Sequence, residues 1–461
     1  MKKARGRRQL YGWMMFDWAS QPYNTLLLTF IFGPYFAEIV VRHKVTLGMS
    51  EYVAKAEAQS LWAVGLALTG VLVAVSAPVL GALADSSGRH IRYLVYFSFC
   101  YCIGSSGLWF SAPDQVWPVL ILAFFMLGLY GTELATIFTN SFLPTLGNKN
   151  DLGRISGSGW AVGYLGGLIS LILALLFFAE NDQGMTLLGR APIFGLDPDL
   201  REGTRMIGPL SAAWFAFFMI PFFMYVSPIK KIDAKRVSIY TGVRLVLITL
   251  RGLPKRPSFM AYLGSSMFYR DALNAVYSFG GIYAYGVLGW SVVDVGIFGI
   301  MALVFGVLLS WLGGFADSFF GPKPVIELSI VILIFTTISI VGITPESIFF
   351  VRVSLDPVIG SLSYSDCAFY LCGAVLGGVG GVIQSASRTM LVHQATDSRI
   401  TEAFGLYAFA GKATSFLAPA LIAFFTIVFN SQRVGMLPII FLFIIGLILM
   451  AFVKVDDKKN S

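Results

Sequence analysis

Five ionisable side chains lie within stretches of sequence that are otherwise apolar enough to cross a lipid bilayer: Asp17, Glu133, Arg270, Asp271 and Lys412. A charge at the bilayer centre costs roughly 2.5–3.5 kcal/mol on insertion scales, so such residues face the interior of a helix bundle and generally have a function. Three carboxylates and two cations predict a cavity that contains both signs of charge. Such a cavity suits a zwitterion, with its ammonium group near Asp17 or Asp271 and its carboxylate near Lys412.

Each of three carboxylates begins a stripe of polar side chains at positions i, i+3 and i+7. The stripes are Asp17, Ser20 and Asn24; Glu133, Thr136 and Asn140; and Asp271, Asn274 and Ser278. Residues at this spacing share one helical face, so three otherwise apolar helices have a polar side. The predicted substrate and proton cavity consists of Asp17, Gln21, Asn24, Glu133, Asn140, Arg270, Asp271, Asn274, Gln384, Lys412 and Ser415.

Structural roles compete with these assignments. Adjacent helical residues point about 100° apart, so Arg270 and Asp271 cannot both face one point. Arg270 is therefore either a structural partner of Glu133 or a substrate ligand. Some hydroxyl groups near the cavity are as typical of hydrogen bonds between helices as of ligands; they belong to Thr136, Ser278 and Ser387.

The carboxylates outnumber the cations by one, which suggests proton coupling. A carboxylate that is sheltered from water without a cation beside it can take up a proton at one membrane face and release it at the other. We expect Glu133 or Asp271 to be this group.

The composition explains why these charges must lie inside a membrane protein. The chain has 461 residues, of which 56% are hydrophobic and 13% are charged, and its mean hydropathy is +0.75. Soluble proteins are about one-quarter charged, so the composition excludes a soluble enzyme, a nucleic-acid-binding domain and a disordered tail protein. The net charge of +8 is typical of basic loops that face anionic lipid.

The sequence also argues against metal or cofactor chemistry. The four cysteines, Cys100, Cys102, Cys367 and Cys372, lie in apolar stretches without metal-ligand spacing, and we expect inert thiols or at most an incidental disulfide. No phosphate-binding loop, zinc-protease motif or nucleophile elbow is present in the sequence. An intramembrane enzyme is therefore the least supported alternative, and no cofactor, metal site or nucleic-acid partner is expected.

Twelve stretches have the length of a membrane-spanning helix, which is about 20 apolar residues. The spans that carry a charge are 11–39, 117–143, 259–288 and 403–427, and the uncharged ones are 58–84, 93–113, 155–179, 206–229, 295–316, 328–345, 367–387 and 434–453. The loops on the side of the termini hold 23 Lys and Arg, and the opposite loops hold 8. The positive-inside rule therefore predicts a plasma or inner membrane protein with both termini in the cytoplasm.

The spans divide into two halves. We expect an N-terminal six-helix bundle over 1–227, a basic cytoplasmic linker over 228–258 and a C-terminal six-helix bundle over 259–461. The linker includes a predicted amphipathic helix over 237–250, which is either a basic surface that faces lipid or a regulatory site. The second span ends Gly-Ala-Leu-Ala-Asp at Asp85, and the eighth ends Gly-Gly-Phe-Ala-Asp at Asp317, as in a parallel repeat of two bundles.

Residues 81–90, Gly-Ala-Leu-Ala-Asp-Ser-Ser-Gly-Arg-His, resemble the loop signature of the major facilitator superfamily, although His90 replaces a usual cation. Within that superfamily the chain resembles the bacterial type of the vacuole-effluxer-like branch, which is related to fungal autophagy-linked vacuolar amino-acid effluxers. This resemblance rests on Phe-Asp-Trp-Ala-Ser at 16–20, Asn-Ser-Phe-Leu-Pro at 140–144, the glycine-rich run at 155–167 and Gly-Leu-Tyr-Ala-Phe-Ala-Gly-Lys at 405–412.

The resemblance implies an all-α membrane protein of two six-helix bundles related by a pseudo-two-fold axis along the membrane normal, with spans 1, 4, 7 and 10 around a central cavity. It also implies amino acids as substrates. The predicted cytoplasmic gate consists of Gly81, Asp85, Gly88, Arg89 and Asp317. A charge clasp at this gate would stabilise one of the two states between which a rocking transporter moves.

We therefore expect a monomeric secondary active transporter that works by alternating access and exports amino acids or related zwitterions with proton coupling. Two alternatives stay open. One is a transporter of a drug, a sugar or a peptide, and the other is a membrane sensor or assembly factor that binds solute without moving it.

Overall fold

The computed structural model describes residues 2–114, 116–181, 183–229, 238–290, 292–349, 351–353 and 362–454. Its helices are α1 (Lys2–Pro22), continued by a π-helix (Tyr23–Phe30), α2 (Phe32–Thr46), α3 (Glu51–Ser87), α4 (His90–Gly107), α5 (Pro118–Asn140), α6 (Leu152–Phe177), α7 (Glu202–Phe218), α8 (Ile220–Tyr225), α9 (Ile239–Gly252), α10 (Pro257–Leu288), α11 (Val292–Phe320), α12 (Pro322–Gly342), α13 (Tyr364–Gln394), α14 (Ile400–Ala413), α15 (Leu417–Phe429), α16 (Gln432–Gly435) and α17 (Leu437–Ala451). Three two-residue antiparallel strands, Ile343–Thr344, Ser347–Ile348 and Val351–Arg352, form a small sheet in the order β1-β2-β3.

The predicted all-α membrane fold is confirmed, and each of the twelve predicted spans falls on helix. Within the described residues, eleven helical stretches are long and apolar enough to cross a membrane. The seventh predicted span is α10, an unbroken helix of 32 residues that is not among those eleven. The linker helix expected over 237–250 begins at Ile239 and ends at Gly252.

The chain separates into two compact units. The first consists of Met1–Ala77, Ala84–Phe142 and Val162–Arg236, and the second of Pro78–Leu83, Leu143–Ala161 and Val237–Ser461. The second unit therefore includes two short segments from the first half of the sequence. The division at 227 and 259, which follows the sequence repeat, stays a prediction.

Aromatic side chains form the core of the first unit. The ring of Tyr101 stacks on Phe215 with 4.0 Å between centroids, and Tyr23 contacts Tyr101 edge-on at 5.2 Å. The Tyr23 hydroxyl donates a hydrogen bond to the Phe125 carbonyl oxygen at 2.5 Å. Because a buried hydroxyl in an apolar core is costly without a partner, this bond fixes the position of the ring.

Helix α1 changes its geometry at Pro22, where the π-helix begins. Proline removes one backbone donor and crowds the preceding turn, so a wider turn follows it. Single π-helical turns inside α-helices occur frequently at functional sites, and this one contains Asn24 of the first polar stripe.

In the second unit, glycines allow helices to approach at backbone distance. A Cβ atom added to Gly377 of α13 would overlap the backbone of Ala302 in α11. The segment 143–161 packs on α11 in the same manner, because a Cβ on Gly157 would lie 2.5 Å from the Cα of Gly314. The Ser156 hydroxyl, next to this contact, donates to the Ser385 carbonyl oxygen at 2.7 Å. Small residues at helix interfaces are the usual source of packing between membrane helices.

The α11–α13 contact leads to a stability prediction. Replacing Gly377 with Ala should lower the free energy of unfolding by about 1–3 kcal/mol, because the added methyl group forces the two helices apart. The matched control is Gly296→Ala in α11, where an added Cβ meets no atom within 4 Å. The measurement is the thermal unfolding midpoint of each purified variant in detergent. Equal midpoints for the two variants would contradict the close packing at Gly377.

Candidate functional site

The polar stripe of α1 lies against a glycine face on α6. A Cβ on Gly163 would lie 3.3 Å from both the Cβ and the carbonyl oxygen of Asp17, and one on Gly167 would lie 2.8 Å from the Cγ of Gln21. Asp17 and Gln21 are both half-buried. The glycines therefore let two polar side chains of the predicted cavity lie beside a neighbouring helix without larger side chains between them.

A tryptophan pair holds α1 against α7. The indole of Trp18 stacks on Trp214 of α7 with 5.7 Å between ring centroids. The Trp214 indole nitrogen donates to the Trp18 carbonyl oxygen at 3.2 Å. Since Trp18 is adjacent to Asp17, this pair fixes the rotation of α1 and thereby the direction of its polar stripe.

The stripe on α5 consists of a half-buried Glu133, a half-buried Thr136 and a buried Asn140. The Thr136 hydroxyl donates to the Thr132 carbonyl oxygen of the same helix at 2.8 Å. This bond within one helix differs from the bond between helices that the structural alternative predicted. Ser387 does follow that alternative, because its hydroxyl hydrogen-bonds the Tyr269 hydroxyl across helices at 2.7 Å.

In the second unit, the eleventh predicted span is broken between α14 and α15. Helix α14 ends at Ala413 and α15 begins at Leu417. Pro419 favours this break, because its ring would clash with the carbonyl of residue 415 in a continuous helix. Next to the break, the Thr414 hydroxyl donates to the Met267 carbonyl oxygen of α10 at 3.3 Å.

Asp271 of α10 accepts a hydrogen bond from a backbone N–H that the break leaves without a partner in its own helix. Its Oδ2 accepts a hydrogen bond from the Ala418 backbone N–H at 3.1 Å, and its residue is 2% exposed. This N–H lies in the first turn of α15, where no carbonyl of the same helix is available. A carboxylate at a helix N-terminus is also favoured by the helix dipole.

Arg270 contacts α14 on the other side of the break. One of its terminal nitrogens donates to the Tyr407 carbonyl oxygen at 2.9 Å, and the guanidinium lies 4.1 Å from the centre of the Tyr407 ring. Gly411 leaves room for it, because a Cβ there would lie 2.5 Å from the same nitrogen. The two adjacent charges of α10 therefore contact the two halves of the same broken helix.

The remaining predicted residues of this unit have different surroundings. Lys412 is half-buried in the last turn of α14, and Ser415 is exposed in the break, where its hydroxyl donates to the Lys412 carbonyl oxygen at 3.0 Å. Asn274 is exposed on α10, and Gln384 is half-buried on α13. Four predicted site residues, Arg270, Asp271, Lys412 and Ser415, thus cluster around the break.

At the end of α3, Asp85 and His90 form a buried contact of 3.1 Å between Oδ1 and Nε2. Gly88, between them in sequence, has φ +66°, a left-handed conformation that favours glycine. Arg89 is exposed. The histidine that departs from the usual signature therefore binds the aspartate of the same turn.

Two other residues of the predicted gate lie in the second unit. A Cβ on Gly81 would lie 2.5 Å from the Thr401 carbonyl oxygen at the start of α14, so glycine is needed for this approach. Asp317 is 3% exposed at the end of α11 and lies against Gly153. Neither carboxylate oxygen has a hydrogen-bond partner among the described residues.

The predicted end of the span 367–387 is wrong, because helix α13 continues past residue 387 to Gln394. Arg388, which follows the predicted end, is only 5% exposed within this helix. Its guanidinium lies 5.0 Å from the centre of a Trp160 ring and donates to the Ser156 carbonyl oxygen at 3.4 Å. The apolar residues Met390, Leu391 and Val392 are the sequence signal that the helix extends this far.

A second buried ionic cluster lies where α6 and α7 are connected, outside the membrane-spanning helices. The Glu180 carboxylate accepts hydrogen bonds from the Thr204 backbone N–H at 3.1 and 3.3 Å. The Arg201 side chain lies 3.7 Å from Glu180 and 3.1 Å from Glu38. Burial raises the pKa of Glu180, and the Thr204 N–H and Arg201 oppose this shift. The cluster fixes the first turn of α7.

Within the described parts of the chain, no group of three His, Cys, Asp or Glu side chains is arranged to hold a metal ion. The four cysteines are free thiols. The polar chemistry of the molecule is therefore that of charges and hydrogen bonds on helices, concentrated along α1 in one unit and around the α14–α15 break in the other.

The hydrogen bond across the helix break leads to a prediction for Asp271. Replacing it with Ala should lower the free energy of unfolding by about 1–3 kcal/mol, because the Ala418 N–H loses its acceptor in an apolar surrounding. Asp271→Asn keeps an acceptor oxygen and should lose less. The thermal unfolding midpoint in detergent measures both, with Asn274→Ala on the exposed face of α10 as control. Equal losses for the Ala and Asn variants would contradict a role in capping α15.

The buried carboxylate of Asp317 leads to the opposite expectation. Asp317→Asn should raise the unfolding midpoint by about 2–4 °C, as expected for about 1 kcal/mol, because it removes a buried charge that has no hydrogen-bond partner among the residues that the structure describes. Asp397→Asn, an exposed position before α14, is the control and should change the midpoint little. A lower midpoint for Asp317→Asn would mean that the native carboxylate is stabilised by a cation.

Three comparisons with known proteins agree with this architecture. Residues 5–461 match the family described as vacuole effluxer Atg22 like. The chain is 22% identical over 459 residues to an uncharacterized MFS-type transporter, YxiO of Bacillus subtilis strain 168. The matched region covers 99% of this chain and 97% of that protein.

Among solved structures, the Escherichia coli fucose:proton symporter FucP has a TM-score of 0.66 at 15% identity, over 97% of this chain and 98% of its own. The human organic anion transporter MFSD10 has a TM-score of 0.68 at 13% identity, over 96% and 99%. At these identities the similarity shows the fold, which is that of the major facilitator superfamily. Together with the family match over nearly the whole chain, it identifies this protein as a multi-pass secondary transporter of the vacuole effluxer-like family and not an enzyme.

Proposed function

We propose that this transporter exports amino acids or related small zwitterions and that its transport is coupled to protons. The observation that carries the proposal is the cluster of two cations and one carboxylate, Arg270, Lys412 and Asp271, around the α14–α15 break. A broken membrane helix leaves backbone groups and charges available to a polar solute, which is how many secondary transporters build their substrate sites.

The family description names efflux but no substrate, so export from the cytoplasm and the amino-acid class are parts of our proposal. The resemblance on residues 405–412 includes Lys412, so the position proposed to bind the substrate carboxylate belongs to the most specific run of the family pattern. Asp17 is the proposed ligand for the ammonium group.

Proton coupling is supported by the excess of carboxylates. Asp271 uses one oxygen to bind Ala418, so its second oxygen is the proposed acceptor of a proton or of the substrate ammonium. Glu133 is the other candidate for proton transfer. In the fully ionised cavity, three carboxylates against two cations leave one negative charge, which a proton neutralises.

The proposed gate is the region of Asp85, Arg89 and Asp317 with the glycines Gly81 and Gly88. Its opening would separate Gly81 from the backbone of Thr401 and Gly153 from the side chain of Asp317. We further propose that the protein is a monomer in the plasma membrane. The loop charges support the cytoplasmic position proposed for both termini.

Counterflow of labelled amino acids into proteoliposomes tests this proposal. The wild-type protein should exchange at least one amino acid, and Asp17→Asn and Lys412→Ala should each lower the rate at least tenfold, because each removes one of the two charges that bind a zwitterion. The controls are Asp199→Asn and Lys55→Ala, which change exposed charges in a loop and on α3. An imposed pH gradient should accelerate uptake, and a rate that is independent of the gradient would contradict proton coupling.

The same panel distinguishes the alternatives. It should include fucose and xylose, because the fold is shared with a fucose:proton symporter and with XylE, a proton:xylose symporter. Exchange of a sugar but of no amino acid would replace the proposed substrate class. Saturable binding of a solute without any exchange would favour a sensor.

A further inference from the structure

The second unit contains a cavity of about 220 Å³ between the linker helix and the start of α14. Its lining includes Thr249 and Gly252 of α9 together with Thr396, Arg399 and Glu402. Phe259 and Leu406, each 2% exposed, are apolar parts of the lining. None of these residues belongs to the proposed substrate cavity or gate.

Two guanidinium groups define the chemistry of this cavity. Arg399 donates to the Thr249 hydroxyl at 2.8 Å, so it links the loop before α14 to the linker helix. Arg256 lies 4.8 Å from the centre of the Phe259 ring and donates to the Gln394 carbonyl oxygen at 2.5 Å. Both cations are held in place by protein groups, and each of these hydrogen bonds uses one of the five N–H donors that a guanidinium carries.

Glu402 reduces the net charge of the cavity to one positive unit. Its carboxylate is nearly buried and lies 3.9 Å from the Arg399 guanidinium. The cavity therefore matches a ligand with a single negative charge better than one with several. Phosphate oxygens suit paired guanidinium groups, because the planar fork of arginine matches their geometry.

The linker helix places this cavity at the level of lipid headgroups. Helix α9 exposes large apolar side chains, with Tyr240 78%, Leu247 47% and Ile248 50% exposed. It also exposes Arg244 and Arg251. A helix with exposed apolar residues and exposed arginines lies in the membrane interface, with its apolar side in the acyl boundary. Ile248 itself lines the cavity.

We propose that this cavity binds the phosphodiester headgroup of a singly charged phospholipid, with Arg256 and Arg399 on the phosphate and the glycerol backbone over Phe259 and Leu406. Basic pockets beside membrane helices are known to bind such headgroups. The bound lipid joins the linker helix to α14, the helix that carries Lys412 at its other end. Lipid thereby stabilises one arrangement of α14 relative to the linker, independently of which solute is transported.

The test uses the full-length protein in a neutral detergent, with short-chain dioctanoyl phosphatidylglycerol as the probe. The lipid should raise the thermal unfolding midpoint of the wild-type protein in a saturable manner. The double variant Arg256→Gln/Arg399→Gln should bind it at least tenfold more weakly. The control variant Arg244→Gln/Arg251→Gln removes two cations of the linker helix α9 that do not line the cavity. It should keep the wild-type affinity.

A second variant covers the case in which the double variant is unstable by itself. Thr396→Trp places a large side chain at an exposed position of the cavity lining without changing its charge, and it should also abolish the shift. Dioctanoyl phosphatidylcholine, which has no net charge, should bind at least tenfold more weakly than phosphatidylglycerol. Inorganic phosphate at the same concentration should give no shift.

Three results would overturn the proposal. An equal shift with inorganic phosphate would assign the cavity to a soluble anion. Equal weakening by Arg244→Gln/Arg251→Gln would mean that the lipid binds by diffuse charge on the linker. Retention of wild-type affinity in both Thr396→Trp and Arg256→Gln/Arg399→Gln would place the lipid elsewhere on the protein.

Discussion

A lipid bilayer offers no hydrogen-bond partner to a polar group, so each donor, acceptor and charge on a membrane helix must find one inside the protein. The break between α14 and α15 is the place where this constraint has the largest consequences. Pro419 disfavours a continuous helix at this point. The Ala418 N–H has no carbonyl partner in its own helix and would be costly to leave unbonded in hydrocarbon. The carboxylate of Asp271 meets this need. A residue that looks like a substrate ligand in the sequence thus also stabilises the local backbone, and the break in turn places Lys412 and Ser415 beside it.

The same constraint explains the glycine contacts. When backbones touch, as at Gly157 and Gly314, side chains are excluded and only small polar groups such as the Ser156 hydroxyl fit beside the contact. Such contacts bury little flexible side chain, so they can form and separate at low entropic cost. Asp317 is the exception within this region, since its carboxylate is buried and neither oxygen has a hydrogen-bond partner within the described parts of the chain. A group of this kind weakens the contact that buries it, which would suit the proposed role of this region as a gate.

The sequence predicts the helices well and their contacts poorly, for a physical reason. The length of the apolar stretches is set by the bilayer, so all twelve predicted spans fall on helix, and the linker helix is found within two residues of its predicted start. Helix ends depend on tertiary partners. The guanidinium of Arg388, inside α13, contacts Trp160 and Ser156, which are more than 200 residues away in sequence. Pro419 is a visible signal for the break, whereas Asp271, which caps α15 at Ala418, lies 147 residues away in sequence. The pairing of Asp85 with His90 is local, but it becomes visible only once the turn at Gly88 is known.

The capping bond of Asp271 also connects the proposed proton site to the shape of the helix. A carboxylate accepts a hydrogen bond roughly twice as strongly as a neutral group does, so a proton on Asp271 weakens its hold on the Ala418 N–H. The same proton removes the negative charge that favours the N-terminus of α15. Arg270 is unaffected by this change because its partner is the Tyr407 carbonyl on the other half of the helix. Protonation of Asp271 in the proposed cycle would therefore loosen α15 while α14 stays attached to α10. The break would then act as a hinge that couples protonation of Asp271 to the position of Lys412.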